Sequence, residues 1–547
     1  MKVMQDSSFK LVQEKLGAIP LIDRFVEKLQ LRVHLENTLG SPCYIEPLIL
    51  LLKNILVDRN ALYSIKDWSA PYDPVLVAGR VIGDDRIARA LDKLFKSDRA
   101  TLMTSVVLEA IRQFKIDVSE IHNDTTSLKV HGSYSKQRRS AVQLKRGWSK
   151  DHRPDLKQLV YDPAVTRDGC IPIYFKVRDG NRTDDTLYWE NWLSIRGLLN
   201  RSDFLFVGDS KLCVTETMMN IDREHGRFIT MVPRNREQAK QFNNELLAST
   251  VRWERLTSKR SSRKSGRMDI IDVAVGPYKL WEGFRLYWYR SSEKRRRDKE
   301  DRDERIETAF AKLKVLDEST GRGRPKTKRT MQRRVDKLLH KCRAEKWVQA
   351  EISFQRIETF KQKTRGRATD DTDYRRIIKH IPRLTIRRNI EAITRSEVID
   401  GIFPLTTNTD LDALYVLNAY KYQPKLEKLH SLLKSLLLAA PFYLKRNDRI
   451  DALMFVNFLA QLIAALIERQ LRIGMKEQKV SKINILPEAR PSKHPSPESI
   501  LTLFETETRH VLKNATTGAT VQTFREPLSP VQQQVLKLLD IESAIYV

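Results

Sequence analysis

Cysteine is scarce and scattered: four in 547 residues, at Cys43, Cys170, Cys213 and Cys342, with no CxxC pair and no histidine at zinc-finger spacing. A disulfide framework and a structural zinc site are set aside on that ground, and a reduced, cytoplasmic setting is expected. The opening stretch MKVMQDSSFKLVQEK lacks the apolar core that a signal peptide needs. Long apolar runs are missing too, since the most hydrophobic stretch, from Ala452, is interrupted by Asn457 and Gln461. It is expected to be a buried helix, and no membrane is expected as a partner. No repeat of solenoid period occurs. Acidic charge is outweighed, because 98 Lys and Arg against 69 Asp and Glu leave a formal charge of +29. A field of that sign and size draws polyanions, so nucleic acid is the expected partner. At 41% hydrophobic the chain can fill sizeable cores, and its length calls for more than one.

Residues 1–117 are expected to be helical, with apolar residues every three or four positions in LIDRFVEKLQLRVHL, EPLILLLKNILV and IARALDKLFK. Asp84 and Asp85 are expected to cap the third of these helices. The segment suits a DNA-end reader and a packing or dimerisation module equally well. From 118 the texture turns to β-like runs: SEIHNDTTSLKV, KQLVYDPAVT and CIPIYFKVRDGN. A helix over TLYWENWLSIRGLL, a strand DFLFVGDS, a helix LCVTETMMNI and a strand RFITMVPR follow. This is the order of a ribonuclease H-like sheet, so the fold class is α/β, with 118–235 and 399–480 as the two parts of a catalytic core. Between them, 236–398 are expected to form an insertion, β-rich first and then helical and basic, with TDYRRIIKHIPRLTIRRN as its last helical piece. Residues 481–547, opening on the proline-rich INILPEARPSKHPSPES, make a linker and a helical tail.

Three acids stand out. Asp124 lies in a β-like run among Thr125, Thr126 and Ser127, where aspartate is disfavoured by propensity. Asp209 follows the apolar run FLFVG, where an open α/β sheet exposes its ligand-binding edge. Glu427 lies between Tyr420 and Lys434 at seven-residue intervals, so the three fall along one helix stripe suited to phosphate. Each aspartate alone would serve as well as a turn or helix cap. Together, two strand acids and one helix acid can hold two divalent ions about 3.5–4 Å apart. Oxygen donors select Mg²⁺ or Mn²⁺ and need neither histidine nor cysteine.

On these residues the chain resembles the DDE transposases of bacterial insertion sequences, in the branch marked Tyr, two residues, Arg, three residues, Glu, six residues, Lys. Tyr420, Glu427 and Lys434 fall on that spacing, while Gln423, followed by Pro424, stands at the arginine position. The resemblance extends to HNDTTSLKVHGSY, WSKDHRPDLKQLV, DGNRTDD and DSKLCVTETM. It implies a metal triad of Asp124, Asp209 and Glu427, with phosphate contacts from Tyr420, Lys434 and the Gln423 position. It also implies cleavage of transposon ends through a hairpin, joining of the 3′-hydroxyl to target DNA, and a homodimer on paired ends. A neutral amide at 423 does not replace arginine's charged fork. In relatives a tryptophan of the insertion stacks on a flipped base; Trp281 and Trp288 are the candidates here, and both are equally suited to the insertion's own core. Arg322 and Arg324 in GRGRPK resemble a minor-groove hook, or a solvated turn between basic helices. A retired transposase acting as an architectural DNA binder, and a structure-specific nuclease, remain as rival readings.

Overall fold

A computed structural model describes residues 9–78, 82–132, 134–147, 155–182, 187–260, 266–318, 327–422 and 444–546. The chain divides into two compact units, 1–230 with 418–547, and 231–417. Gln423, Pro424, Glu427, Lys434, Arg322 and Arg324 lie outside the described residues.

The first unit opens on strand β1 (Phe9–Lys15), followed by helices α1 (Ile19–Lys28), α2 (Leu31–Leu39), α3 (Pro42–Val57), α4 (Ile65–Ser69), α5 (Asp84–Lys96) and α6 (Arg99–Phe114). Gly83, not an aspartate, takes the cap position of α5. Asp84 and Asp85 fill its first turn, where they face the positive end of the helix dipole.

A mixed sheet comes next: β2 (Glu120–Asn123), β3 (Thr126–Val130), β4 (Lys157–Thr166), β5 (Pro172–Asp179), β6 (Leu205–Gly208) and β7 (Arg227–Met231), with α7 (Leu187–Leu199) and α8 (Thr215–Arg223) as crossovers. Strands β2, β6 and β7 run parallel, while β3, β4 and β5 pair antiparallel. Strand β4 is buried from Gln158 to Thr166, as a strand covered on both faces must be.

The apolar stretch at Ala452 forms the centre of a 31-residue helix, Asn447–Glu477, which is long and apolar enough to cross a membrane. Of its most apolar window, 89% is buried inside the protein. It packs on α3, α5 and β5, with Phe455 and Phe458 against Phe175. The proline-rich stretch holds a small hairpin, Ile483–Leu486 with Arg490–Ser492, instead of a bare linker. Past it, strand Thr508–Asn514 pairs antiparallel with β1, joining the two ends of the described chain.

The second unit starts with α9 (Glu237–Leu247) and an antiparallel sheet of β8 (Trp253–Arg260), β9 (Met268–Ala274), β10 (Tyr278–Lys279), β11 (Arg285–Ser291) and β14 (Ile402–Thr407). Helices α10 (Ser292–Glu318) and α11 (Lys328–Cys342) then pack through Ile306, Ala309, Leu313, Val335 and Leu339. From this pair rises a two-stranded ribbon, β12 (Val348–Gln362) and β13 (Tyr374–Arg388), in register over all fifteen pairs. Helix α12 (Ile390–Ile399) leads back to β14, and α13 (Ala413–Tyr420) ends the unit's return.

Residues 374–388, expected to be helical, are therefore a strand. Pro382 lacks the N–H that a helix interior requires, and Ile377, Ile378, Ile381, Thr385 and Ile386 are β-branched. Arginine and lysine between them mask that preference.

Candidate active site

Parallel pairing of β2 with β6 sets Glu120 opposite Leu205, Ile121 opposite Phe206 and His122 opposite Val207. Continuing that register two residues places Asp124 opposite Asp209, both just past the carboxyl ends of their strands. In an open α/β sheet this is the edge where ligands bind.

Local sequence explains why Asp124 is available there. Strands β2 and β3 pair with one edge of β4 in a single register, from Ile121 opposite Thr166 to Val130 opposite Lys157. The ladder skips Asp124 and Thr125, which lie across from Pro163 and Asp162. Pro163 has no N–H to give, so the gap is built into the sequence. Side chains fill it. Asn123 Nδ2 donates to Asp162 Oδ1 at 2.9 Å and to the Pro163 carbonyl at 2.8 Å. Asn191 Nδ2 donates to Asp162 Oδ2 at 2.8 Å, and Arg178 Nε reaches the same oxygen at 3.1 Å. Arg178 also grips Asn191 and Glu190, at 2.8 and 2.7 Å. Asp162 is fully buried, and burial raises its pKa against the pull of Arg178 and the two asparagines. A satisfied buried network of this kind is rigid, and it anchors the residue directly before Asp124.

Asp209 is held from the other side. The Tyr188 hydroxyl, on α7, donates to Asp209 Oδ1 at 2.8 Å, and the Lys211 N–H adds a second bond to that oxygen at 2.9 Å. Among the described residues no donor reaches Oδ2. Thr230 Oγ1, at the end of β7, donates to the Asp209 carbonyl at 2.6 Å. Tyr188 is buried, and its pKa is driven far upward, first by desolvation and then by the charges of both Asp209 and Asp124. One phenol thus senses both carboxylates. Gly208 makes the approach possible, since a Cβ there would lie 2.7 Å from the Tyr188 ring.

The donor set at this edge is carboxylate oxygen, which suits a hard divalent cation such as Mg²⁺ or Mn²⁺. Among the described residues no group of three or more His, Cys, Asp or Glu side chains is placed to hold a metal ion, and Glu427 lies outside them. Tyr420 is the half-buried last residue of α13. In the second unit, Trp288 is buried and stacked on Phe242 at 3.9 Å between ring centroids, in the unit's own core. Trp281 is 74% exposed. Tyr188, Asn123, Asp162, Arg178 and Asn191 were not singled out by sequence. The available signal was Asp162 inside the run QLVYDPAV and Arg178, with Lys176 and Asp179, inside IYFKVRD.

No family model matches the chain, and no curated protein matches it. Among solved structures, it is similar to a piggyBac transposase in a synaptic complex with hairpin DNA, at a TM-score of 0.27 and 11% identity, over 44% of this chain and 54% of that one. The match therefore spans about half of the piggyBac chain, and at that score it carries no residue correspondence.

Proposed function

We propose that the chain is a DDE-type DNA transposase with a ribonuclease H-like core, which cuts transposon ends and joins the freed 3′-hydroxyl to target DNA through a hairpin. One observation carries the reading: Asp124 and Asp209, far apart in sequence, come to adjacent carboxyl ends of two parallel strands. The charge of +29 supports DNA as the partner. Asp124 and Asp209, completed by Glu427, are the proposed ligands of two Mg²⁺ or Mn²⁺ ions. When bound, such a pair supplies Lewis acidity to the attacking and leaving oxygens of a phosphodiester. Tyr420, Gln423 and Lys434 then face phosphates of the transposon end, and exposed Trp281 is the insertion's proposed base-stacking residue. The working form is a homodimer on paired inverted repeats in the bacterial cytoplasm.

The test uses the DNA flanking the reading frame. Full-length protein should nick its terminal inverted repeats in Mg²⁺ and join pre-cut ends to a plasmid. Asp124→Ala, Asp209→Ala and Glu427→Ala should each abolish both steps while end binding persists. Nicking retained by any one of them removes that residue from the triad, and cleavage that ignores end sequence and joins nothing replaces the reading with a plain nuclease.

A further inference from the structure

The β12–β13 ribbon carries charge very differently on its two faces. Strand alternation and register assign Arg356, Glu358 and Arg376 to one face, with Phe354, Phe360 and Arg388. The cations of that face are neutralised internally: Arg356 Nη2 and Arg376 Nε meet Glu358 at 2.6 and 2.9 Å, and Arg388 pairs with Glu307 of α10. The base of the same face packs on α10 and α11 through Val348, Ala350, Leu384 and Ile386.

The other face presents Arg375, Lys379, Arg383 and Arg387, all exposed and spaced every four residues along β13. At about 3.3 Å per residue the steps are roughly 13 Å and the row is roughly 40 Å long. Lys361 of β12 stands directly opposite Arg375, a like-charge pairing that destabilises a ribbon in isolation. Only Arg383 has a partner, taking Gln355 at 2.9 Å and Asp317 at 3.7 Å. Lys361, Arg375, Lys379 and Arg387 make no side-chain hydrogen bond or ion pair with a described residue, although acids are plentiful on the neighbouring helices.

We propose that this face of the ribbon is a docking surface for duplex DNA, with its row of cations set along the phosphate backbone. The proposal rests on the reading of DNA as substrate and adds which element of the second unit carries it. A two-stranded ribbon has the width that a DNA groove admits, and a row of roughly 40 Å matches a little over one helical turn. Ile377, Ile381 and Thr385 lie between the cations, and Gln349, Glu351 and Gln355 of β12 share the face; the contact proposed for the cation row is to phosphate, which fixes position and carries no sequence information.

The experiment measures binding of full-length protein to a labelled 30-base-pair duplex of arbitrary sequence, by fluorescence anisotropy from 50 to 300 mM NaCl. Arg375→Gln/Lys379→Gln/Arg387→Gln should flatten the slope of log affinity against log salt by about 3, from the three phosphates no longer neutralised. Arg356→Gln/Arg376→Gln, on the opposite face, should change it by less than about 1. A wild-type slope in the first variant, or equal loss per charge from the two faces, overturns the proposal. So does unchanged duplex binding accompanied by lost binding to single-stranded RNA or to anionic vesicles. If wild-type protein binds no duplex at all, the transposase reading falls with it. If wild-type protein cuts its ends in Mg²⁺ and the first variant keeps the wild-type slope, only the ribbon's role falls.

Discussion

At the scale of single residues, Tyr188 joins the two halves of the site. Its hydroxyl donates to Asp209 Oδ1, and the Asp209 N–H points back at it from 3.3 Å. Tyr188→Phe keeps the ring and deletes both contacts inside a buried pocket. Leaving a buried partner unsatisfied costs about 1–3 kcal/mol, read as a lower midpoint in urea unfolding. Freeing Asp209 from its orienting partner should also raise the Mg²⁺ concentration needed for end cleavage by about 10–100-fold, as loss of an outer-shell partner weakens affinity at metal sites. Cleavage with an unchanged magnesium requirement would show that Tyr188 is packing alone. The hydroxyl was invisible in the sequence because TLYWENW offers three aromatic rings, and only the fold says which of them faces the acids.

At the scale of elements, Arg469 on the long central helix ties three segments together. Its Nε meets Asp168 Oδ1 at 2.9 Å in the β4–β5 turn, and its Nη atoms reach the Phe114 and Lys115 carbonyls at 3.0 and 3.3 Å. Burial works against the Asp168 charge, but the bonds from Arg469 and from the Asp117 N–H outweigh it and hold the carboxyl below its usual range. A carboxyl depressed in the folded state contributes stability that is present above its unfolded pKa and lost as pH falls through the folded one. Arg469→Met should therefore cost about 3–5 kcal/mol at pH 7, with the gap from wild type narrowing below about pH 4. Denaturant unfolding at pH 7, 5 and 3.5 measures it, and a gap that stays constant sinks the assignment. A second element-level test is Gly474, in the same helix, where a Cβ would stand 1.9 Å from the Leu538 carbonyl oxygen. Gly474→Ala should lower stability by about 1–3 kcal/mol and raise hydrogen exchange over helix Pro530–Leu538. An unchanged Tm would mean the tail moves aside freely.

These elements also mark the limits of legibility. The β–α order from Glu120 to Met231 was readable because apolar period switches from two to about four, and because apolar runs stop at Asp209. The ribbon was not, since alternating Arg and Ile in YRRIIKHIPRLTIRR satisfies a charged helix face as well as a strand until Pro382 is weighed. Strand β1 was missed for another reason: its partner, Thr508–Asn514, is nearly five hundred residues away, and local pattern holds no record of a pairing so remote. Asp209 was legible as a strand-end acid, whereas Asp124, expected inside a β-like run, lies in the break between β2 and β3, and the Asn123–Asp162–Arg178–Asn191 network needed the β2–β4 register before it could be seen.

At the scale of the whole molecule, joining two transposon ends needs two sets of acids held on one DNA complex, and a closed two-fold assembly is the simplest way to supply them. In the proposed homodimer each protomer would bring one Asp124 and one Asp209 at one sheet edge, so a protomer lacking either should disable one end only. Wild-type protein mixed with an excess of Asp209→Ala should then give complexes in which one end of a linear two-ended substrate is cut and the other stays intact. Single-end breaks should rise to a maximum near equal mixing and then fall as mutant comes into excess, while double-end breaks fall faster than the wild-type fraction does throughout. Double-end breaks that decline in simple proportion, with no single-end product at any ratio, would mean that one protomer serves both ends in turn. That outcome would leave the paired carboxylates in place and remove the dimer from the catalytic cycle.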